Sequence, residues 1–149
     1  RWNIFHLACW YNNYLILGEL LRDDRLDKKF INEPDINKEP PIAICCIVDA
    51  LECLELLDKN GASKQFNNEE KYRKDLNLNK LCVYHDASRC FMYLNPDLTI
   101  ESEELDDMYD LAKKNGSDNI ASLFEDYKVY EGLESLVEIQ EEDPMECME

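Results

Sequence analysis

Apolar residues recur along this chain in paired short bursts, and each pair is followed by a longer polar stretch. The clearest pair lies between Pro40 and Ser63. Ile42 to Val48 is apolar throughout, which predicts a helix buried on most sides. Pro40-Pro41 suits its opening, because proline lacks the N–H that a first helical turn leaves unpaired anyway. Asp49-Ala50 breaks the run. Leu51, Leu54, Leu56 and Leu57 then recur at helical spacing and predict a second helix. Asn60-Gly61 closes it, with Gly61 where a left-handed C-cap is wanted.

The pair repeats. Thirty-seven residues before Pro40 stands Asn3, followed by Ile4, Phe5, Leu7, Ala8 and Cys9, with Ile16, Leu17, Leu20 and Leu21 as the second helix. Thirty-seven residues after Pro40 stands Asn77, where Leu81, Cys82 and Val83 fill an inner core and Asp86 to Leu94 echo Asp49 to Leu57. A fourth pair starts 30 residues later, near Asp107. It has Tyr109, Leu111 and Ala112 inside, Gly116 at the turn, and Ile120, Ala121, Leu123 and Phe124 behind. Such self-similarity points to stacked units, none of which can bury its apolar face alone.

The stretch from Pro40 to Ser63 resembles an ankyrin repeat, whose pattern is T-P-L-H-L-A-A-x-x-G-H-x-E-V-V-x-L-L-x-x-x-G-A-D, and fills its slots without a gap. Asn3 to Cys9 occupies the same opening slots in the first unit. In the third, Asn79 and Lys80 depart from the pattern, which wants an apolar residue and histidine there. The resemblance covers roughly residues 2–127. It implies an all-α ankyrin-repeat solenoid of stacked helix–turn–helix units over residues 1–130, with a capping segment and acidic tail over 131–149. The connecting fingers, Arg25 to Glu39, Ala62 to Leu76 and Asn95 to Asp106, are longer than usual. Leu133, Leu136 and Val137 have the spacing of a short helix that would cover the open core of the last unit.

Composition narrows the function. The chain has 149 residues, 45% of them hydrophobic, enough for one domain with a core. No apolar run is long enough to span a membrane. The chain opens on Arg1 inside a repeat, which reads as a fragment of a longer polypeptide. Residues 1–94 carry 13 Lys/Arg against 15 Asp/Glu, while residues 95–149 carry 3 against 18. The acidity therefore belongs to the last unit and the tail. Nucleic acid is a poor partner, since a phosphate backbone wants a basic stripe. The acidic end serves either solubility or a basic protein surface.

Seven cysteines and two histidines raise the question of metal. There is no Cys-x-x-Cys and the histidines lie far apart. The resemblance puts Cys9, Cys45, Cys46, Cys53, Cys82 and Cys90 in core slots, where a free thiol packs as a small hydrophobe. An odd count favours a reducing compartment such as the cytoplasm. His6 falls in the histidine slot of the repeat, which implies a ring hydrogen-bonded to backbone between units; His85 falls at the exposed end of an inner helix. No nucleophile–base pairing, zinc-protease helix or phosphate-cradling loop is visible. Asn95-Pro-Asp-Leu-Thr99 opens like a calcium loop, but Ile100 stands where the sharp turn needs glycine. No enzyme, cofactor, metal or small-molecule substrate is expected.

The remaining feature is the concave face that the resemblance implies. Its inner-helix positions are Trp10-Tyr11, Ile47-Val48, Tyr84-His85 and Lys114-Asn115, and the residues entering each unit are Trp2, Glu39, Leu76 and Asp106. The first three units thus present aromatic and branched apolar groups where a merely solvated groove would be polar. The competing expectation is that the long fingers fold over these groups. The implied function is a non-catalytic protein-binding scaffold, with the acidic end contacting a basic surface. Alternatives are a structural part of a large assembly, such as the cytoskeleton, and the ankyrin portion of a larger enzyme.

Overall fold

The computed structural model of the chain describes residues 1–65, 77–98 and 102–128, and among these the regular structure is helical, with no strand. The elements are α1 (Ile4–Trp10), α2 (Tyr14–Arg22), a 3-10 turn (Lys28–Asn32), α3 (Pro41–Val48), α4 (Leu51–Lys59), α5 (Leu78–His85), α6 (Ser88–Leu94) and α7 (Ser102–Asn115). A further helix, α8, occupies 118–128. None of the described helices is long and apolar enough to cross a membrane.

Local chemistry explains where the odd-numbered helices begin. The Asn3 side chain accepts from the Phe5 and His6 N–H groups, and the His6 ring returns to the Asn3 N–H, which completes a capping box. Asn77 accepts from the Lys80 N–H in the same way at the head of α5. Pro40 offers no side-chain cap to α3, but Pro41 at the first helical position needs none.

The even-numbered helices begin differently. Asn12, Asp49, Asp86 and Gly116 turn the chain between the helices of each pair, all in the left-handed region with φ of 47°, 57°, 51° and 76°. Asn, Asp and Gly are the residues that tolerate this conformation most readily. Ala50 and Ala87 provide no side-chain cap to α4 and α6. For α6 the acceptor comes from the preceding pair: the Cys90 N–H donates to Asp49 Oδ1 at 2.9 Å. The Ile120 N–H donates likewise to Asp86 Oδ1 at 3.0 Å. Asp49 and Asp86 thus each cap the outer helix of the next pair. In the corresponding place Asn12 Nδ2 donates to Glu52 Oε2 at 2.9 Å, and its Oδ1 is buried without a partner.

The helices pack in two rows. In the inner row α1 lies on α3, α3 on α5 and α5 on α7; in the outer row α2 lies on α4 and α4 on α6. Within the pairs, α1 packs on α2, α3 on α4 and α5 on α6. Phe91 meets Phe124 of α8 edge-on at 5.5 Å, which extends the outer row. Phe5, Leu17, Ile42, Ile44, Leu54, Leu57, Val83, Phe91, Ile120 and Phe124 are fully buried in one core. The six described cysteines join them at 0% exposure. Two tie successive pairs together, Cys53 Sγ donating to the Ala8 carbonyl at 3.7 Å and Cys90 Sγ to the Cys45 carbonyl at 3.5 Å.

Three expectations need correction. The fourth pair does not start near Asp107, because α7 begins at Ser102 and Asp107 lies inside it. Glu103 and Glu104 in the first turn complement the helix dipole there, and Leu105 and Met108 bury a face that reaches back beyond the repeat pattern. Leu56, which the helical spacing groups with Leu54 and Leu57 as one buried stripe, is only partly buried, since Leu54 and Leu57 take the core side of α4. Ile16 is 51% exposed, since Leu17 and Leu21 hold that role in α2. The expected capping helix at Leu133, Leu136 and Val137, and the acidic tail, lie outside the described residues.

Candidate interaction face

The first finger positions the N-terminal aromatic residues. Asp35 Oδ1 accepts from the Asn37 and Glu39 N–H groups at 2.8 and 2.9 Å, so the loop closes around its carboxylate. Asp35 Oδ2 accepts from Trp2 Nε1 at 2.9 Å. The Trp2 ring lies parallel to His6 at 6.3 Å and meets Trp10 at 5.2 Å. The finger therefore holds Trp2 without covering it. Trp2 remains 38% exposed, Trp10 42% and Tyr11 75%.

A second exposed group sits between the third and fourth pairs. Tyr84 is 46% exposed, and its carbonyl accepts from Asn115 Nδ2 at 2.7 Å. His85, Lys114 and Asn115 are exposed beside it at the ends of α5 and α7. Tyr84 also lines a cleft of about 520 Å³ with Lys80, Glu103, Glu104, Asp107 and Met108. Between the two exposed groups, Ile47 and Val48 are half-buried. Glu39 departs from the expectation: it is 7% exposed, and its carbonyl accepts from His6 Nε2 at 2.9 Å. Leu76 lies outside the described residues. The N-terminal and C-terminal exposed groups are thus each brought together locally, while Glu39 is withdrawn into the core.

Further exposed apolar groups escaped the sequence reading. Ile4, Leu7, Tyr14, Leu15 and Ile16 are 45% to 72% exposed on α1 and α2. The pattern marks Ile4, Leu7 and Ile16 as core slots, and nothing in the pattern distinguishes a slot at the end of a stack from one inside it.

The titratable groups have settled roles. Burial lowers the His6 pKa from its ordinary 6.5, against the raising influence of the Glu39 carbonyl and Asp35. Cys46 is pushed up by its contact with Cys82 and by burial, and Cys45 by burial. These thiols stay protonated and packed, unlike the exposed low-pKa thiols of reactive cysteines. Among the described residues no three His, Cys, Asp or Glu side chains gather as a metal site. Glu52 is held down at about 2, first by its hydrogen bond from Asn12 and then by Arg89, whose guanidinium lies 2.7 Å away. This surface network spans three successive helix pairs.

No protein-family model, curated protein or solved structure matches this chain.

Proposed function

We propose that the chain is an ankyrin-repeat solenoid acting as a non-catalytic protein-binding module, with the inner-row face as its working surface. The observation that carries the reading is one repeated position. Trp10, Ile47 and Tyr84 occupy the same slot in three successive pairs, and the first and third are large aromatic rings left 42% and 46% exposed. Trp and Tyr supply interface energy out of proportion to their number. The paired rows of helices and the left-handed turn residues at matching positions support the ankyrin reading of the fold.

Charge suggests the character of the partner. The cleft beside Tyr84 carries Glu103, Glu104 and Asp107, against Lys80 alone. A partner that brings lysine or arginine to this cleft gains complementary charge and a ring to lie against. The acidic residues from 131 onward extend the same sign of charge.

The test is site-specific photo-crosslinking, with the probe at Tyr84 and, as a control, at Lys59 on the exposed end of α4. Capture from Tyr84 alone, abolished by Trp10→Ala on the same chain and weakened by salt, is the expected result. Equal capture from both positions, or capture indifferent to Trp10, would remove the inner face from consideration.

A further inference from the structure

The slots that join each helix pair to the one before it are apolar in every pair, yet they are covered only from the second pair onward. Pro41 and Ile44 are buried on α3, which packs on α1, and Leu78 and Leu81 are buried on α5, which packs on α3. The same slots of α1 hold Ile4 and Leu7, which are 49% and 46% exposed. The outer row behaves alike. Cys53 and Cys90 are fully buried and donate to carbonyls of the preceding pair, whereas the matching residue of α2, Ile16, is 51% exposed. Beside it Leu15 is 72% exposed, and with Ile16 and Leu20 it lines an open groove of about 470 Å³. Scattered exposed leucines need no explanation, but a contiguous patch built from interface slots does.

We propose that this face docks one more helix pair of the same design, contributed by the same polypeptide ahead of Arg1. The occupant follows from continuity with the joints already formed. At each of them this face meets a pair that lies earlier in the chain, and the direction never reverses among the described helices. The inner slots of α1 that serve as the other half of a joint hold Phe5, His6 and Cys9; the corresponding slots of α7 hold Tyr109, Asp110 and Lys113. Asp110 and Lys113 are exposed, and Lys113 pairs with Glu125 at 3.1 Å. A second copy added head to tail would press these charges onto Ile4 and Leu7 and desolvate them. An apolar helix pair of the kind seen in α3 and α4 meets no such cost.

Hydrogen exchange read by mass spectrometry tests this, on the chain starting at Arg1 and on the full-length polypeptide with its own upstream residues. The amides of α1 and α2 should exchange at least about tenfold more slowly in the longer chain, with α5 and α6 unchanged. Leu7→Asp and, separately, Leu15→Asp should abolish that slowing while leaving the helical circular dichroism of the shorter chain intact, because both side chains are exposed in it. Equal exchange in the two chains would overturn the proposal, as would a full-length polypeptide with no helix pair at that place. Sedimentation of the shorter chain as a dimer that Leu7→Asp dissociates would give the face to a second copy instead. Capture of a partner at Tyr84 is a separate readout, so either reading can fail alone.

Discussion

His6 joins the first helix pair to the second through Nε2, while Nδ1 completes the cap of its own helix. Nδ1 lies 3.2 Å from the Asn3 N–H, which donates to it, and Nε2 lies 2.9 Å from the Glu39 carbonyl. A carbonyl can only accept, so Nε2 carries the proton; with Nδ1 accepting from the Asn3 N–H, and not donating to Asn3 Oδ1 3.0 Å away, the ring is neutral. Burial favours that neutral form and lowers the pKa below 6.5. The sign of the pH effect follows. Below pH 6.5 the unfolded chain takes up a proton that the folded chain resists, so stability falls as the pH drops from there towards the folded pKa. The melting temperature should therefore be lower at pH 5.5 than at pH 7.5, and His6→Gln should flatten the slope between them. A flat wild-type profile over that range would show that the ring is not held neutral. Glu52, whose pKa drops from 4.5 to about 2, adds a separate loss below pH 4.5 as protonation removes its bonds to Asn12 and Arg89.

Among the helices, α4 shows what the apolar pattern reveals and what it leaves ambiguous. Leu54, Leu56 and Leu57 all fit a helical stripe, but a stripe about 100° wide admits neighbours on both flanks. The structure turns Leu54 and Leu57 fully inward and leaves Leu56 at the edge. Leu57→Ala should cost about 2–5 kcal/mol in denaturant unfolding, the usual range for a buried leucine. Leu56→Ala should cost roughly half as much, since part of its surface stays wet. Equal losses would mean that α4 is rotated about its axis from the arrangement described. The start of α3 was legible from its prolines and those of α1 and α5 from the repeat spacing, while the side-chain caps of Asn3 and Asn77 show only in the structure. The start of α7 was not, because its first turn extends beyond the repeat period and is marked by acidic residues instead of a repeat slot. The burial of Glu39 was also hidden, since it depends on Asp35 drawing the finger closed. The exposed ring of Tyr84 was legible from register alone; its acidic cleft was not, because Glu103 and Glu104 belong to that unrecognised turn of α7.

Across the whole molecule, a packing order that follows the chain order has consequences for how the fold fails. The main packing partners of the first pair are α3 and α4, and those of α7 lie with α5. Stability in such a stack is approximately a sum of unit terms and nearest-neighbour joints. A lesion at one end should then open that end and not the whole. Leu17 is the place to make it, because it is fully buried in α2, inside a pair whose other face is already uncovered. Leu17→Ala should remove about 2–5 kcal/mol from that pair, enough to raise hydrogen exchange in α1 and α2 steeply. Exchange in α5, α6 and the helix at 118–128 should change little, because the joint between the second and third pairs is untouched. Thermal unfolding followed by exchange should therefore separate into an early N-terminal phase and a later one. If every helix instead loses protection by the same factor, the pairs unfold as a single cooperative block. The joints made by Asp49, Asp86 and the buried cysteines would then be strong enough to override the one-dimensional order of the stack.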